Sequence, residues 1–209
     1  MFSYLKSVVI IVAITLLALL FLLISKFGPS PGHCRTGNCV NGYGQANYRD
    51  GRVYEGNFLK EKRSGSGVMK YPNGDTIEGR WKQGKLHGEA KQTYASGHIF
   101  EGTFVDGEKE GQGRMLFVGG LRLEGNWKNG GPDGAMKLID TTGHEAIGTY
   151  KNGKVLQGTG IYVYEDGSFY IGEWGESKRH GVGILYSPTG EEVYAGSWEN
   201  DSPIERLDP

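Results

Sequence analysis

The side chains of this 209-residue chain best suited to chemistry are two cysteines, five histidines and a column of glutamates. Cys34 and Cys39 lie in HCRTGNCVNG with a flexible Thr36-Gly37-Asn38 between them. An even, local cysteine pair points to a disulfide in an oxidising compartment. Two free thiols, or half of a zinc site, are the competing readings; His33 is adjacent to Cys34, which is poor chelate geometry, and no fourth ligand stands nearby. His98 and His144 have no helical i, i+4 partner, and no Ser-His-Asp order stands out. Glu55, Glu78, Glu101 and Glu124 share one phase, and paired carboxylates are the groups of glycosidases. Ile147, Ile171 and Ala195 take that phase later in the chain, and Arg80, Lys82 and Lys128 interleave, so a solvated face of mixed charge accounts for them better. Two segments, Gly79–Lys85 and Gly148–Lys154, match the first seven positions of a P-loop. Leu86 and Val155 then stand where a magnesium-binding Ser/Thr is needed, and no helix follows. Asn200-Asp201-Ser202 is a formal glycosylation sequon, followed by Pro203. No catalytic residue, metal ligand or cofactor site is expected.

What positions these side chains is a repeat. All 36 glycines follow Phe27, roughly three times the average share of ~7% over that stretch. One series runs Gly56, Gly79, Gly102, Gly125, Gly148, Gly172, Gly196, at spacings of 23 or 24 residues. Gly51 to Gly190 and Gly42 to Gly181 form two further series in register with it. Around the first series apolar residues alternate with polar ones: Tyr54, Gly56, Phe58; then Trp81, Phe100, Phe104, Trp127, Tyr150, Tyr170, Trp174, Tyr194 and Trp198 in turn. Period two with one apolar face is a half-buried β-strand. A second strand, of the form Gly65-x-Gly67-x-Met69, follows and closes on Asn73-Gly74 or Asp166-Gly167 turn chemistry. Each unit is a hairpin and the whole an antiparallel meander. The glycines on the aromatic face are expected to leave slots that neighbouring rings cover, so the eleven rings named are a packing face first and a binding face second.

The pattern Tyr-x-Gly-x-Trp/Phe, then Gly-Lys-x-His-Gly and a closing Asn/Asp-Gly, resembles the MORN (membrane occupation and recognition nexus) repeat. It is clearest in IEGRWKQGKLHGEAKQTYASG and YIGEWGESKRHGVGILYSPTG, and covers residues 41–199. The resemblance implies an all-β, elongated, twisted antiparallel meander of about seven hairpins and some fourteen strands, without a closed barrel. It also places His87 and His180 at a turn position. Ala90 and Met136 replace the second glycine of the pair, Ala146 replaces an aromatic, and one-residue insertions fall near Val155 and after Gly190.

Ahead of the repeats, residues 7–25 are nineteen consecutive uncharged residues between Lys6 and Lys26. As a helix they would span ~29 Å, the thickness of a hydrocarbon core. The length and the Pro29 and Pro31 flank favour an uncleaved anchor over a signal peptide. The expected organisation is therefore a transmembrane anchor over 1–27, a linker with the cysteine pair over 28–40, the sheet over 41–199 and a polar tail over 200–209. The disulfide reading sets the N-terminus in the cytoplasm and the repeats in the periplasm, another extracytoplasmic space or a lumen.

A formal charge of −1 excludes a general nucleic-acid binder. The leading expectation is a non-catalytic, membrane-tethered scaffold presenting its sheet to a protein partner, with edge pairing into a homodimer left open. The alternative is a lipid or membrane-surface module, for which Lys60, Lys62 and Arg63 are the cluster to watch, although a near-neutral domain suggests no polybasic patch. The third, an enzyme with a hydrolase-like site on the sheet, has no segment outside the repeats to form its pocket.

Overall fold

A strand with one apolar side must bury it, and a run of hairpins without a second layer has to do so within its own sheet. The computed structural model describes residues 32–207. The chain opens with β1 (His33–Gly37), β2 (Asn41–Asn47), β3 (Val53–Leu59) and β4 (Lys62–Lys70). It continues through β5 (Thr76–Lys82), β6 (Lys85–Thr93), β7 (Ile99–Val105) and β8 (Glu108–Leu116). Next come β9 (Arg122–Lys128), β10 (Gly131–Ile139), β11 (Glu145–Lys151) and β12 (Lys154–Val163). The run ends with β13 (Phe169–Gly175), β14 (Lys178–Tyr186), β15 (Glu192–Glu199) and β16 (Ser202–Arg206). All sixteen form one sheet in sequence order, each antiparallel to the next.

The sheet is thus wider than residues 41–199 by one strand at each side. Part of the expected linker is β1, and part of the expected polar tail is β16. Cys34 and Cys39 are joined by a disulfide that ties β1 to its own turn. The expected anchor over residues 7–25 lies outside the described residues. Among those described, no helix is long and apolar enough to cross a membrane.

The two long edges carry different turns. Along one, short strand passes to long strand through two residues, both at positive φ, as at Gln83 (51°) and Gly84 (87°). This is the type I′ geometry that matches strand twist, and it explains why the P-loop-like segments are hairpins. Along the other edge the loops are longer: Tyr71 N–H donates to Asp75 O (2.9 Å) and Gly74 N–H to Tyr71 O (3.0 Å). Five members of the third glycine series, Gly65, Gly88, Gly111, Gly134 and Gly181, each sit in a bulge. Gly79 pairs with Ala90 and Trp81 with Leu86, so three residues, 87–89, face Arg80 alone. His87 and His180 open such bulges rather than lying in turns, which corrects their expected place.

One irregularity alters the sheet as a whole. β11 and β12 pair only from Lys151↔Lys154 to Gly148↔Gly158. Beyond Gly158 the strands part, while β12 stays paired with β13 up to Val163↔Phe169. The extra residue near Val155 makes β12 ten residues long, the longest strand described.

Candidate functional site

The ring face is a core. Tyr54, Phe58, Trp81, Phe100, Phe104, Trp127, Tyr150, Tyr170, Trp174 and Trp198 are all buried, and Tyr194 is half-buried. The rings lie down over the glycines. A Cβ on Gly113 would come within 2.6 Å of Phe100 Cζ, and one on Gly160 within 2.7 Å of the Tyr150 hydroxyl. Trp81 Nε1 donates to Gly67 O (3.2 Å), Trp174 to Gly160 O (3.3 Å) and Trp198 to Gly183 O (3.1 Å). Edge-to-face contacts such as Tyr54–Trp81 and Phe100–Trp127, at 5.3 and 4.8 Å, link neighbouring repeats. An open aromatic groove is therefore not what this face offers.

Over these rings sit three cations; from sequence Arg63 stands out only as a surface charge, and Lys109 and Arg179 are not singled out. Arg63 lies 4.5 Å from the Trp81 ring and also over Tyr48 and Tyr54. Lys109 lies over Tyr94, Phe100 and Trp127 at 5.2, 4.7 and 5.3 Å. Arg179 lies 4.2 Å from Trp198 and over Tyr170. All three occupy one phase, held in other repeats by Leu86, Pro132 and Val155. That phase follows the two-residue turn, so it was there to be found once the turn was located. Burial holds the Arg63 guanidinium below its usual value, pushes Lys109 down to about 8 and raises Tyr94 to about 12.

The opposite face is the charge-mixed surface expected: Glu101 pairs with Arg114 (2.6 Å) and Lys91 (3.5 Å), and Lys137 with Glu145 (2.9 Å). No group of three or more His, Cys, Asp or Glu among the described residues is placed to hold a metal ion. His144 is drawn to Asp140 (3.4 Å) in its own loop.

Two concave places remain. The first is basic: Arg52, Lys60, Lys62, Arg63 and Lys85 line one groove of about 520 Å³ with Tyr48 and Glu61. The cluster that the near-neutral charge argued against does exist, because strand pairing gathers cations 33 residues apart in sequence. The second is apolar and lies along the edge that carries the longer loops. Phe117, Val118 and Leu121 from the loop after β8 face Ile161, Val163 and Phe169 from β12 and β13, with Pro188, across about 290 Å³. Val118 and Val163 are 62% and 43% exposed, unusual for valines that share a concavity. His98 at its rim accepts the Val118 N–H on Nδ1 (3.1 Å), and burial lowers its pKa, favouring the neutral ring. Sequence alone gave no sign of this cleft.

The profile of the MORN repeat family matches residues 54–76, 78–99, 100–122, 147–169 and 170–192, more than half of the chain. This chain belongs to the MORN repeat family. The stretch between the third and fourth matches, 123–146, precedes the parting of β11 and β12 and holds Met136 in place of a glycine. Among solved structures the chain is similar to the SAS-4 (dCPAP) TCP domain of Drosophila melanogaster, solved with a proline-rich motif of Ana2 (dSTIL). The identity is 16%, with 77% of this chain and 87% of that one covered and a TM-score of 0.41. The TCP10 domain of Danio rerio CPAP follows at 19% identity, 74% and 83% coverage and a TM-score of 0.32.

Proposed function

We propose that this MORN-repeat protein is a non-catalytic scaffold, tethered to a membrane by residues 7–25, whose sheet docks a protein partner at the cleft between Val118 and Val163. The observation that carries the reading is the cleft itself. The ring face has spent its aromatics on internal packing, whereas the cleft keeps Val118 and Val163 open beside Phe117, Leu121, Phe169 and Pro188. An apolar pocket with an uncharged rim suits one or two apolar anchor side chains of a partner. The experiment is cross-linked co-purification of the full chain from its membranes, with Val118→Asp and Val163→Asp together. Both positions are exposed, so the fold should survive. Loss of one defined partner supports the cleft; an unchanged partner set with a folded variant sinks it.

The tether and the orientation have separate tests. Residues 7–25 should hold the chain in the membrane through alkaline carbonate extraction, and their deletion should release it. A membrane-impermeant maleimide should label Cys34 and Cys39 on intact cells only after reduction, as an extracytoplasmic sheet requires. Labelling only after permeabilisation, without reductant, would place the sheet in the cytoplasm.

The basic groove favours a second reading, a module for anionic membrane surfaces. Lys60, Lys62 and Arg63 gather there with Arg52 and Lys85, and each cation near an anionic surface contributes about 1 kcal/mol. Co-sedimentation with phosphatidylserine vesicles that disappears in Lys60→Glu, Lys62→Glu would support it. Binding indifferent to lipid charge would not.

A further inference from the structure

We propose that Lys109 is a site of acylation, its ε-amino group taking a small acyl group from a thioester or acyl phosphate. The three cation-bearing cells of the ring face make the case by their differences. In the first, Arg63 donates to the carbonyl of Gly84. In the last, Arg179 reaches Asp201 through the carboxylate (3.3 Å) and the carbonyl (2.8 Å). In the middle cell the Lys109 ammonium is packed against three rings and meets only the Tyr94 hydroxyl. No Asp or Glu oxygen of the described residues lies within 4.0 Å of it.

A second oddity sits in the same cell. Trp127 is 4% exposed, yet its Nε1–H has no acceptor among the described residues, unlike Trp81, Trp174 and Trp198 at the same phase. The cell therefore holds a charge that burial disfavours and a donor that burial leaves unanswered. An N-acyl group addresses both: it removes the charge and brings a carbonyl oxygen. The lysine nitrogen lone pair attacks the acyl carbon, the C–S or C–O bond to the leaving group breaks, and the proton lost by nitrogen leaves with the thiolate or phosphate. Desolvation supplies the free amine this needs. Near pH 8 about half of Lys109 is unprotonated, against below about 1% for an ordinary lysine. The lower basicity takes back about tenfold of that hundredfold advantage along the Brønsted trend.

The test is trace labelling of the full chain with N-succinimidyl acetate at a series of pH values, read lysine by lysine by peptide mass spectrometry. Lys109 should acylate roughly 10-fold faster than the exposed Lys82 and Lys128 near pH 8, with its rate levelling above that pH while theirs keep climbing. The preference should vanish in denaturant. Once Lys109 is acylated, the indole N–H of Trp127 should exchange with deuterium more slowly. Equal or slower labelling of Lys109 in the folded chain would overturn the proposal, as would a preference that persists on unfolding.

Discussion

The Tyr150 hydroxyl bonds both backbone groups of Ile161, accepting its N–H at 2.9 Å and donating to its carbonyl at 3.2 Å. A phenol thereby does what a neighbouring strand does elsewhere in the sheet, because β11 no longer pairs with β12 at this depth. The strands can part without leaving buried backbone unsatisfied.

Tyr150→Phe keeps the ring and removes both bonds. It should cost about 2–4 kcal/mol, since two buried peptide groups lose their partner. Hydrogen exchange should accelerate at Ile161 and leave the β3–β4 amides unchanged. A melting temperature within a degree or so of the parent would contradict this.

The glycine slots are tied to ring size, and the chain records the compensation itself. Where Ala90 stands opposite Gly79 the residue that should lie over it is Ile77, and where Met136 stands opposite Gly125 it is Leu123. Gly67 pairs with Gly56 beside Tyr54, and a Cβ on Gly67 would overlap the Tyr54 ring. Gly67→Ala should therefore destabilise by roughly 1–3 kcal/mol through overpacking. In the double variant Gly67→Ala, Tyr54→Ile, chemical denaturation should return less than the sum of the two single losses. Strict additivity would mean the slot and the ring are independent.

Stability should depend on pH in the alkaline range with a definite sign. Lys109 is depressed to about 8 when folded, against ~10.4 unfolded, so the unfolded chain binds more protons between those values. Its favourable contribution is complete above ~10.4 and is lost as pH falls through 8, by at most roughly 3 kcal/mol. Tyr94, raised to about 12, works the other way: its contribution holds below ~10 and is lost as pH rises through 12. Urea unfolding should thus show stability climbing from about pH 8 to 10 and then declining. Lys109→Met should flatten the climb and leave the decline. A parent profile that is flat over this range would count against the buried ammonium.

Reduction of Cys34–Cys39 should loosen one margin only. The closed loop is short, so the chain-entropy contribution is about 2 kcal/mol, and β1 pairs with β2 alone. With reductant, amides at Cys34 and Gly37 should exchange faster while those of β7 to β10 keep their protection. Loosening of the central strands as well would show that the edge hairpin sustains the whole sheet.

Much of this protein was legible from sequence because its physics is local and repeated. Alternation around Tyr54, Gly56 and Phe58 dictates a strand with one apolar face, and a period of 23 or 24 residues dictates that each hairpin meets the next. Glycine at three phases follows from a turn, a bulge and a slot, each a constraint within one hairpin or between immediate neighbours. The Cys34–Cys39 bridge is of the same kind, set by a separation of five residues. The tertiary structure alone decided what depends on the accumulated course of the strands. Arg52, Lys60 and Lys85 form a groove because three hairpins align them. The pairing of β11 with β12 stops at Gly148↔Gly158, and Val118 and Val163, far apart in sequence, come to line one cleft. The glycine slots already implied a packed ring face, but what covers each ring was decided there, since in a single-layer sheet Trp127 is covered only by what its neighbours lay over it, and one of those neighbours is a lysine.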